Sequence, residues 1–316
     1  MTIPDFSDIQ DAKTRISKPI HHTPVLQSTM INELCGCRLN FKCENFQKTG
    51  AFKYRGATNA ILKLSRETLQ QGVCTHSSGN HAQALSLAAK LAGAKAYIVM
   101  PETAPKNKIA AVKNYGADIY FCKPTLAARE EKLSEIQAKT GAHFIHPYDN
   151  PDIIAGQGTA ALELLETYPD IETIIAPVGG GGLMSGTSIT AKHINPHINI
   201  IGAEPAGADD AKQSFYAGKL IPSVNPETIA DGLLTSLSKR TFSILSKNMD
   251  DILTCKEDYI KKAIKLIFER MKIVVEPSAA VPLGIILEHK AHFKNRHIGL
   301  IVSGGNIAWP SNTLCK

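Results

Sequence analysis

The chain has 316 residues, of which 43% are hydrophobic and 20% are charged, a composition typical of a globular enzyme with room for two domains. Its net charge of +6 is spread along the sequence without a long run of like charges, which argues against a nucleic-acid partner. No apolar run is long enough to cross a bilayer, the first residues lack a signal-peptide pattern, and the seven scattered cysteines do not follow a zinc-ligand spacing. We therefore expect a cytoplasmic protein without a membrane partner.

Short β-rich runs alternate with longer amphipathic segments along most of the chain. The predicted strands cover residues 39–43, 73–76, 96–100, 118–122, 143–146, 173–177, 199–204, 252–255 and 298–303. The predicted helices cover residues 53–65, 80–92, 106–115, 126–140, 153–167, 183–193, 257–271 and 278–289. This alternation predicts an α/β fold with parallel sheets covered by helices. Apolar runs such as residues 298–302 suit strands that are buried on both faces.

One lysine stands out at the predicted start of the first of these helices. Residues 48–56 read KTGAFKYRG and place Lys53 directly behind Phe52. The positive end of a helix dipole and the nearby cations Lys48 and Arg55 would both favour the neutral amine. A neutral amine is the form that can make a Schiff base with an aldehyde cofactor.

Three further segments each follow a predicted strand. They read SSGNH at residues 77–81, GGGGL at 179–183 and SGGN at 303–306. Four consecutive glycines between a buried strand and a helix allow the backbone to curl around an anion, with the helix N-terminus adding donors to a phosphate. The glycine spacing matches neither the dinucleotide fingerprint nor the P-loop, which disfavours an oxidoreductase that binds a dinucleotide.

In this order and at these spacings, the four segments resemble the pyridoxal-phosphate (PLP) enzymes of the tryptophan-synthase-β fold type, fold type II. Within that group the chain resembles the serine racemase and serine/threonine dehydratase family, from about residue 22 to residue 306. The resemblance implies two domains, each with a mostly parallel, doubly wound sheet. Residues 1–71 and 149–316 would form a large PLP-binding domain, residues 72–148 a small mobile domain, and two chains a homodimer.

The same resemblance assigns roles around the cofactor. Lys53 would hold PLP and later move the substrate α-proton on one face, Phe52 would pack near the ring, and Asn80 would bond the pyridoxal 3′-oxygen. Ser303 would face the pyridine nitrogen, and a serine there suits elimination and proton exchange more than transamination. The phosphate would be held by Gly179, Gly180, Gly181, Gly182 and Leu183.

The loop after the second predicted strand carries the sharpest functional inference. By resemblance the substrate carboxylate would be bound by Ser77, Ser78, Gly79, Asn80 and His81, with Arg129 joining on domain closure. Dehydratases of this family commonly have alanine where this chain has Ser78, whereas serine racemases have serine. Inversion at Cα needs one acid–base group on each face, and Lys53 and Ser78 would supply the pair. We therefore predict a serine racemase with serine dehydratase side activity.

Two further sites are implied by the resemblance. A structural Mg²⁺ or Ca²⁺ would be bound by the side chains of Glu204 and Asp210 and the carbonyl of Ala208, ligands that suit hard cations. ATP could act as an effector at a subunit interface. The positions that match that nucleotide site are Ser28, Thr29, Met30, Lys48, Thr49, Gln83, Tyr115, Lys272 and Asn306.

Other activities remain open at this point. Tyr148 stands where animal racemases have asparagine, and the Pro-Tyr-Asp sequence looks more like that of bacterial dehydratases. The alternatives are a threonine/serine dehydratase or a threo-3-hydroxyaspartate ammonia-lyase. The latter needs a cation for the second carboxylate, which Arg129 or His146 could supply.

A non-catalytic protein on the same fold is an alternative of another class. Three residues that chemistry would require are all retained, namely Lys53, Asn80 and Ser303. Their retention favours an enzyme. Only about ten residues follow Asn306, which argues against the long threonine deaminases that carry a regulatory domain.

Overall fold

The computed structural model describes residues 1–308, which fold into two mostly parallel sheets covered by helices. The strands are β1 (Val25–Leu26), β2 (Arg38–Cys43), β3 (Val73–His76), β4 (Ala96–Pro101), β5 (Asp118–Cys122), β6 (His143–Phe144), β7 (Thr173–Pro177), β8 (Asn199–Pro205), β9 (Asp251–Cys255) and β10 (His297–Val302). The larger sheet has the order β1-β2-β10-β7-β8-β9, and the smaller has the order β5-β4-β3-β6. Only the short β1 pairs antiparallel among these described strands. The predicted α/β fold is confirmed.

The helices fill the connections between strands and account for the parallel pairing. They are α1 (Phe6–Ile16), α2 (Thr29–Cys35), α3 (Lys53–Leu62), α4 (Arg66–Gln71), α5 (Asn80–Leu91), α6 (Lys106–Asn114), α7 (Leu126–Thr140), α8 (Pro151–Thr167), α9 (Gly182–Ile194), α10 (Asp210–Ala217), α11 (Lys239–Asn248), α12 (Glu257–Leu266), α13 (Pro277–Glu288) and α14 (Lys290–Phe293). Short 3₁₀ segments occur at Glu44–Phe46, Lys48–Gly50 and Asp231–Leu233, and a π turn covers Ile267–Met271.

The strands of the smaller sheet all fall within residues 72–148, the segment expected to form the small domain. The domain boundaries themselves stay a prediction, and residues 309–316 of the expected large domain lie outside the described residues. Both sheets have apolar interiors: β7, β8 and β10 pack against α13 on one side, whereas β3 and β4 pack against α5.

Several element ends differ from the sequence prediction for local reasons. The predicted helix over residues 53–65 ends at Leu62, because the Ser65 hydroxyl accepts the amide of Thr68 and begins the separate helix α4. The predicted helix over 257–271 becomes a π turn after Leu266 and stops at Lys272, whose φ is +62°. The predicted strands 143–146 and 298–303 end earlier, at Phe144 and Val302.

Helices α3, α8 and α9 approach one another unusually closely, and glycines make this possible. A Cβ on Gly156 of α8 would lie 2.6 Å from the Cα of Gly56 on α3. A Cβ on Gly186 of α9 would lie 2.5 Å from the backbone nitrogen of Gly158 on α8. Larger side chains would force these helices apart. The glycines therefore fix the position of α3, which begins with Lys53, relative to α9, which begins at the four-glycine segment.

A buried ionic cluster locks α3 onto β2 and α8. The Arg55 guanidinium donates to Glu44 at 2.7 Å and to Glu163 at 2.7 Å, and Lys42 Nζ donates to Glu163 at 2.6 Å. All four side chains are buried. Two cations and two anions balance within this cluster. Breaking such a buried set costs far more than losing a surface pair.

Candidate active site

The four sequence segments meet beside the carboxyl ends of parallel strands, where α/β proteins bind their ligands. The Phe52 amide donates to the Ser303 carbonyl at 2.9 Å, so the lysine segment lies beside the end of β10. The Asn306 side chain donates to Asn80 Oδ1 at 2.9 Å and joins the segment after β10 to the segment after β3. These contacts gather residues that lie up to 254 positions apart in the sequence.

Lys53 is partly buried and has a single hydrogen-bond partner among the described residues. Its Nζ donates to the Pro147 carbonyl at 2.8 Å and lies 5.2 Å from the centroid of the Phe52 ring. Burial lowers the pKa of Lys53 to about 8, and the carboxylate of Glu276 opposes that shift. A pKa near 8 leaves part of the lysine as the neutral, nucleophilic amine at neutral pH.

One of the two expected causes of this shift, the neighbouring cations, is wrong. The sequence interpretation placed the charges of Lys48 and Arg55 beside Lys53. Arg55 instead points into the buried ionic cluster, and Lys48 Nζ lies over the ring of Tyr54 at 5.9 Å from its centroid. Loss of hydration therefore lowers the pKa of Lys53, and the neighbouring cations do not.

The four glycines form a tight turn between β7 and α9. Gly181 has a φ of +82°, which favours glycine, and Gly182 begins the 13-residue helix α9. A Cβ on Gly180 would lie 2.4 Å from the ring of Tyr148, so a side chain cannot fit there. The Ser185 hydroxyl in the first turns of α9 is buried and has no hydrogen-bond partner within residues 1–308. Free amides at a helix N-terminus with an unpaired hydroxyl nearby fit a phosphate group.

Asn80 begins helix α5 and has partners on both sides of its amide group. Its Nδ2 donates to Glu276 Oε1 at 2.6 Å, and its Oδ1 accepts from Asn306. Ser303 is buried directly after β10, and its carbonyl accepts the Phe52 amide next to Lys53. Sequence reasoning missed Glu276, and a single glutamate before Pro277 gives no motif that could have identified it.

The loop from Ser77 to His81 joins β3 to α5. Ser77 and Ser78 are half-buried, and the Ser77 hydroxyl accepts the amide of Gly79 at 3.3 Å. His81 Nε2 lies 3.2 Å from the Ile145 carbonyl, whereas the buried Nδ1 has no partner. Burial, together with the charge of Lys53, holds the pKa of His81 well below its usual range. His81 is therefore neutral at pH 7. The loop and the lysine reach the same segment, because His81 contacts the Ile145 carbonyl and Lys53 donates to the Pro147 carbonyl two residues later.

Aromatic and imidazole rings line the side of the site that faces Arg129. The ring centroids of His76 and His146 lie 5.9 Å apart, and those of His146 and Tyr148 lie 4.6 Å apart. Burial lowers the pKa of His76 and of His146 to about 4 in each case, and the charge of Arg129 adds to the shift at His76. His146 is consequently neutral at physiological pH in the ligand-free protein, which disfavours it as the cation for a second carboxylate. Arg129 remains the candidate.

The expected metal ligands lie between β8 and α10. Glu204 accepts the amides of Ala211 and Lys212 at 3.1 and 2.8 Å. Both carboxylate oxygens of Asp210 are buried without a hydrogen bond of good geometry, although the Ser223 hydroxyl lies nearby. Burial raises the pKa of Asp210 to about 6 and also raises the pKa of Glu204. Two carboxylates that repel each other without a counterion fit a cation, with Ala208 on the loop between them.

Of the nine positions matched to a nucleotide site, five lie near the 3₁₀ segment Lys48–Gly50 and four lie elsewhere. Thr49, Gln83 and Asn306 lie together, since Asn306 Nδ2 donates to the Thr49 carbonyl and α5 packs on the 3₁₀ segment that contains Thr49. The Thr49 hydroxyl and Gln83 Nε2 are buried without partners. Lys48 Nζ lies over the ring of Tyr54, and Tyr115 is close enough to Tyr54 to help raise the pKa of its phenol. Within the described residues, no hydrogen bond joins this group to the others, namely Ser28, Thr29, Met30 and Lys272.

A lysine whose amine is partly neutral, close to a glycine turn that fits a phosphate, is what a phosphorylated aldehyde cofactor requires. The fold and the site therefore define an α/β enzyme that uses pyridoxal phosphate. The chain belongs to the family described as "Pyridoxal-phosphate dependent enzyme", which residues 16–304 match. It is a racemase or lyase of that family.

Individual relatives cover nearly the whole chain. A serine racemase from Dictyostelium discoideum is 51% identical over 96% of this chain and 94% of that protein. A β-hydroxyaspartate dehydratase from Paracoccus denitrificans is 47% identical over 97% of this chain and 98% of that protein. The structure of maize serine racemase superposes with a TM-score of 0.95 and is 46% identical, covering 98% of this chain and 95% of that one. Among the helices of residues 1–308, none has the length and apolarity to span a membrane.

Proposed function

We propose that this enzyme interconverts L- and D-serine and, as a side activity, eliminates water from serine to give pyruvate and ammonia. The observation that carries the proposal is Ser78, a hydroxyl on the loop after β3. That loop leads to His81, which contacts the Ile145 carbonyl, two residues before the Pro147 carbonyl that accepts from Lys53. The relatives that are named serine racemases support it. Residues 72–148 would act as a small mobile domain that brings this loop to the substrate.

Lys53 and the N-terminus of α5 would handle the substrate from two directions. The amides at the start of α5 and the Ser77 hydroxyl would bind the substrate carboxylate, as helix N-termini bind anions. When bound, the cofactor supplies an electron sink that makes the α-proton of the amino acid acidic. The neutral amine of Lys53 would take that proton on one face.

Ser78 would exchange a proton on the opposite face and so complete the inversion. Phe52 and Tyr148 would keep water away from the reacting carbon, since their rings lie beside Lys53 and the glycine turn. Asn80 and Ser303 would orient the cofactor, and the Gly179–Leu183 turn would hold its phosphate. Elimination needs proton removal on one face alone, so it can proceed without Ser78.

The test compares Ser78→Ala with Ser77→Ala in purified, PLP-loaded enzyme. D-serine is followed by chiral chromatography and pyruvate by a coupled assay. We expect Ser78→Ala to lose at least about 100-fold in racemisation, the scale of one acid–base group, and to keep elimination within about tenfold. Ser77→Ala should raise KM for both reactions together. Equal D-serine formation by Ser78→Ala, or none by the wild type, contradicts the proposal.

A second candidate is the elimination of ammonia from threo-3-hydroxyaspartate, and the position of Arg129 favours it. Among the described residues Arg129 donates only to the Thr125 carbonyl of its own helix and pairs with no carboxylate, so its charge is available for a second substrate carboxylate. The β-hydroxyaspartate dehydratase relative supports this reading. Arg129→Met should raise KM for L-threo-3-hydroxyaspartate at least about tenfold more than KM for L-serine, because one charged contact is lost. Lys132→Met, one turn away on α7, serves as control. Faster turnover of L-threonine than of either substrate would indicate a threonine/serine dehydratase.

Two bound effectors complete the proposal. Glu204, Asp210 and the Ala208 carbonyl would hold a structural Mg²⁺ or Ca²⁺, which the unpaired Asp210 oxygens support. ATP would bind near Lys48, Thr49, Gln83 and Asn306, where unpaired buried polar groups support a ligand. Titration calorimetry with each ligand tests both sites. Gln83→Leu should abolish the heat of ATP binding and leave that of Mg²⁺ unchanged.

We also propose a homodimer in the cytoplasm. Phe46 and Val274 are large exposed apolar residues that lie close together, because Asn45 Nδ2 donates to the Val274 carbonyl. Sedimentation velocity should give twice the mass of one chain, and Phe46→Asp should shift the protein towards the monomer. The six described cysteines are free thiols, which suits a reducing compartment.

A further inference from the structure

Glu276 and Lys108 have no part in the roles assigned so far, yet both are buried next to the site. Glu276 precedes α13 and has 2% of its surface exposed, and Lys108 on α6 has 4%. Glu276 Oε1 accepts from Asn80 Nδ2 at 2.6 Å, and its Oε2 lies 3.8 Å from Lys108 Nζ. Oε2 forms no hydrogen bond of good geometry among the described residues, although the backbone amide of Asn306 lies nearby. A buried carboxyl with one free oxygen is costly, so it is retained where it does more than fill space.

The partners of Glu276 come from a different part of the chain than Glu276 itself. Asn80 and Lys108 both belong to the segment that builds the smaller sheet, whereas Glu276 packs with the larger one. Lys108 Nζ also donates to Asp231 at 2.7 Å, a second residue from the larger-sheet side. Two carboxylates from the part of the chain that packs with the larger sheet, Glu276 and Asp231, therefore hold two residues of the segment that builds the smaller sheet.

Lys108 lies directly beneath the loop from Ser77 to His81. A Cβ placed on Gly79 would lie 3.2 Å from Lys108 Nζ and 2.9 Å from its Cδ. The loop thus rests on the lysine at Gly79 and is anchored to Glu276 at Asn80. A substitution of Glu276 would therefore affect both its hydrogen bond to Asn80 and its ion pair with Lys108.

We propose that Glu276 is a positioning residue that fixes the Ser77–His81 loop over the site, through Asn80 directly and through Lys108 beneath Gly79. This inference rests on the proposed function of the loop in substrate binding. A loop held at two points is preorganised for the substrate carboxylate, which lowers the free-energy cost of binding. Glu276 itself need not touch the substrate.

The charge of Glu276 gives the positioning a pH dependence. The charged groups that face it are Lys108 from α6, Asp231 from the 3₁₀ segment and Lys53 from α3, while Asn80 contributes a neutral amide. Burial raises the pKa of Glu276 to about 7, and Lys108 opposes the shift. The ionised carboxylate accepts a stronger hydrogen bond than the neutral acid and also attracts Lys108. The loop should accordingly be held more firmly as the pH rises through 7, and KM should fall.

The test uses the PLP-loaded enzyme and compares Glu276→Gln with Asp231→Asn. Asp231→Asn removes a carboxylate from the same lysine but leaves the Asn80 contact intact. For L-serine we expect Glu276→Gln to raise KM about tenfold, the equivalent of one charge-assisted hydrogen bond, with a smaller change in kcat. The step in KM near pH 7 should disappear in Glu276→Gln. In Asp231→Asn it should persist and move to lower pH, because the charge of Asp231 helps to raise the pKa of Glu276. KM should change less than about threefold in Asp231→Asn, whose lysine keeps its second carboxylate.

A second measurement needs no turnover. Hydrogen exchange of the substrate-free, PLP-loaded enzyme should quicken in α5 and in α6 when Glu276 becomes glutamine, and should stay near wild type in α12. Unchanged exchange in α5 with unchanged KM overturns the inference. Because this readout involves no substrate, it separates the inference from the proposed reaction. A protein that fails to racemise but shows the expected exchange contradicts the proposed function alone.

Lys108→Met keeps the inference testable should Glu276→Gln fail to fold. Removing the ammonium group takes away the charge that lowers the pKa of Glu276, so the step in KM should move to higher pH. A step that stays near pH 7 in Lys108→Met shows that Glu276 does not cause it.

Discussion

Lys53 and Arg55 lie two residues apart in the first turn of α3, and each belongs to a different group of buried charges. The two groups differ in how completely their charges are paired. Around Arg55, two cations and two carboxylates are held by hydrogen bonds, and both Glu44 and Glu163 accept from Arg55 at two oxygens. Around Lys53, the amine has one carbonyl partner and Glu276 keeps one oxygen free. The glutamates show the difference: burial opposes ionisation of both, yet Arg55 lowers the pKa of Glu163, whereas the pKa of Glu276 rises to about 7.

This difference in pairing suits the Arg55 cluster to stabilising the fold and suits Lys53 and Glu276 to exchanging protons. Complete pairing keeps each charge fixed at all physiological pH values and ties α3 to β2 and α8. Incomplete pairing leaves Lys53 and Glu276 with pKa values near neutrality, so each can gain or lose a proton at little cost. The ionic cluster supports the helix on which the reactive lysine depends.

The largest effect is expected from Lys53→Ala. The variant should lose both racemisation and elimination by at least about 10³-fold, since the amine both holds the cofactor and moves the proton. When both proteins are measured without cofactor, the thermal midpoint of the variant should not fall below that of the wild type, which bears the cost of burying that amine. Activity assays and differential scanning calorimetry check the two halves. A large drop in the midpoint would place Lys53 with the structural cluster instead.

Arg55→Met should show the opposite pattern. Removing the guanidinium leaves Glu44 and Glu163 buried without their main partner, at an expected cost of about 3–5 kcal/mol in the free energy of unfolding. The activity of the protein that remains folded should stay close to wild type. Urea denaturation measures the loss. Lys132→Met, which breaks the exposed pair with Glu135, should leave the urea midpoint unchanged.

The expected metal site should show an effect intermediate between those of Lys53→Ala and Arg55→Met, because its carboxylates lack a positive partner until a cation binds. The raised pKa values of Glu204 and Asp210 mean that the folded protein binds protons that the unfolded chain releases. The cation-free protein should therefore become more stable as the pH falls from 7 towards 5. At pH 7, Mg²⁺ at about 100 times its Kd should add about 2.7 kcal/mol. Asp210→Asn should abolish the gain from Mg²⁺; an undiminished gain would show that the cation binds elsewhere.

Much of the fold could be predicted because its main elements have strong patterns. The buried strands and the amphipathic helices α5, α8 and α9 follow from periodicity alone. The sequence analysis missed short polar helices such as α1 and α11, although each begins with a capping box at Asp5 or Ser238. Attention to those caps would have found them.

The site could be predicted only where a motif carries it. Lys53, the glycine turn and the loop from Ser77 to His81 each belong to a short, continuous sequence motif. Glu276 and Lys108 acquire their meaning from contacts with residues far along the chain. The cause of the low pKa of Lys53 could not be predicted either. Arg55 is paired with Glu163, which lies 108 residues away in the sequence, so its charge does not act on Lys53.

The smallest expected effect is a pH dependence that distinguishes Lys53 from the paired lysine, Lys42. Only the neutral amine of Lys53 attacks the cofactor aldehyde, and its pKa is about 8. The rate of PLP recapture by the cofactor-free protein should rise about tenfold from pH 7 to pH 9 and level off above. Stopped-flow absorbance in the visible range measures it.

Glu276→Gln sharpens this test in a direction fixed by charge. The carboxylate of Glu276 favours the protonated form of Lys53, so its removal should lower the pKa of Lys53 and move the midpoint of the rate profile below pH 8. Lys42 is hydrogen-bonded to Glu163 and to the Thr23 carbonyl, so Lys42→Met should leave the midpoint in place. A midpoint near 10 in the wild type would show that burial does not lower the pKa of Lys53, and the contrast between the two clusters would fail at its central residue.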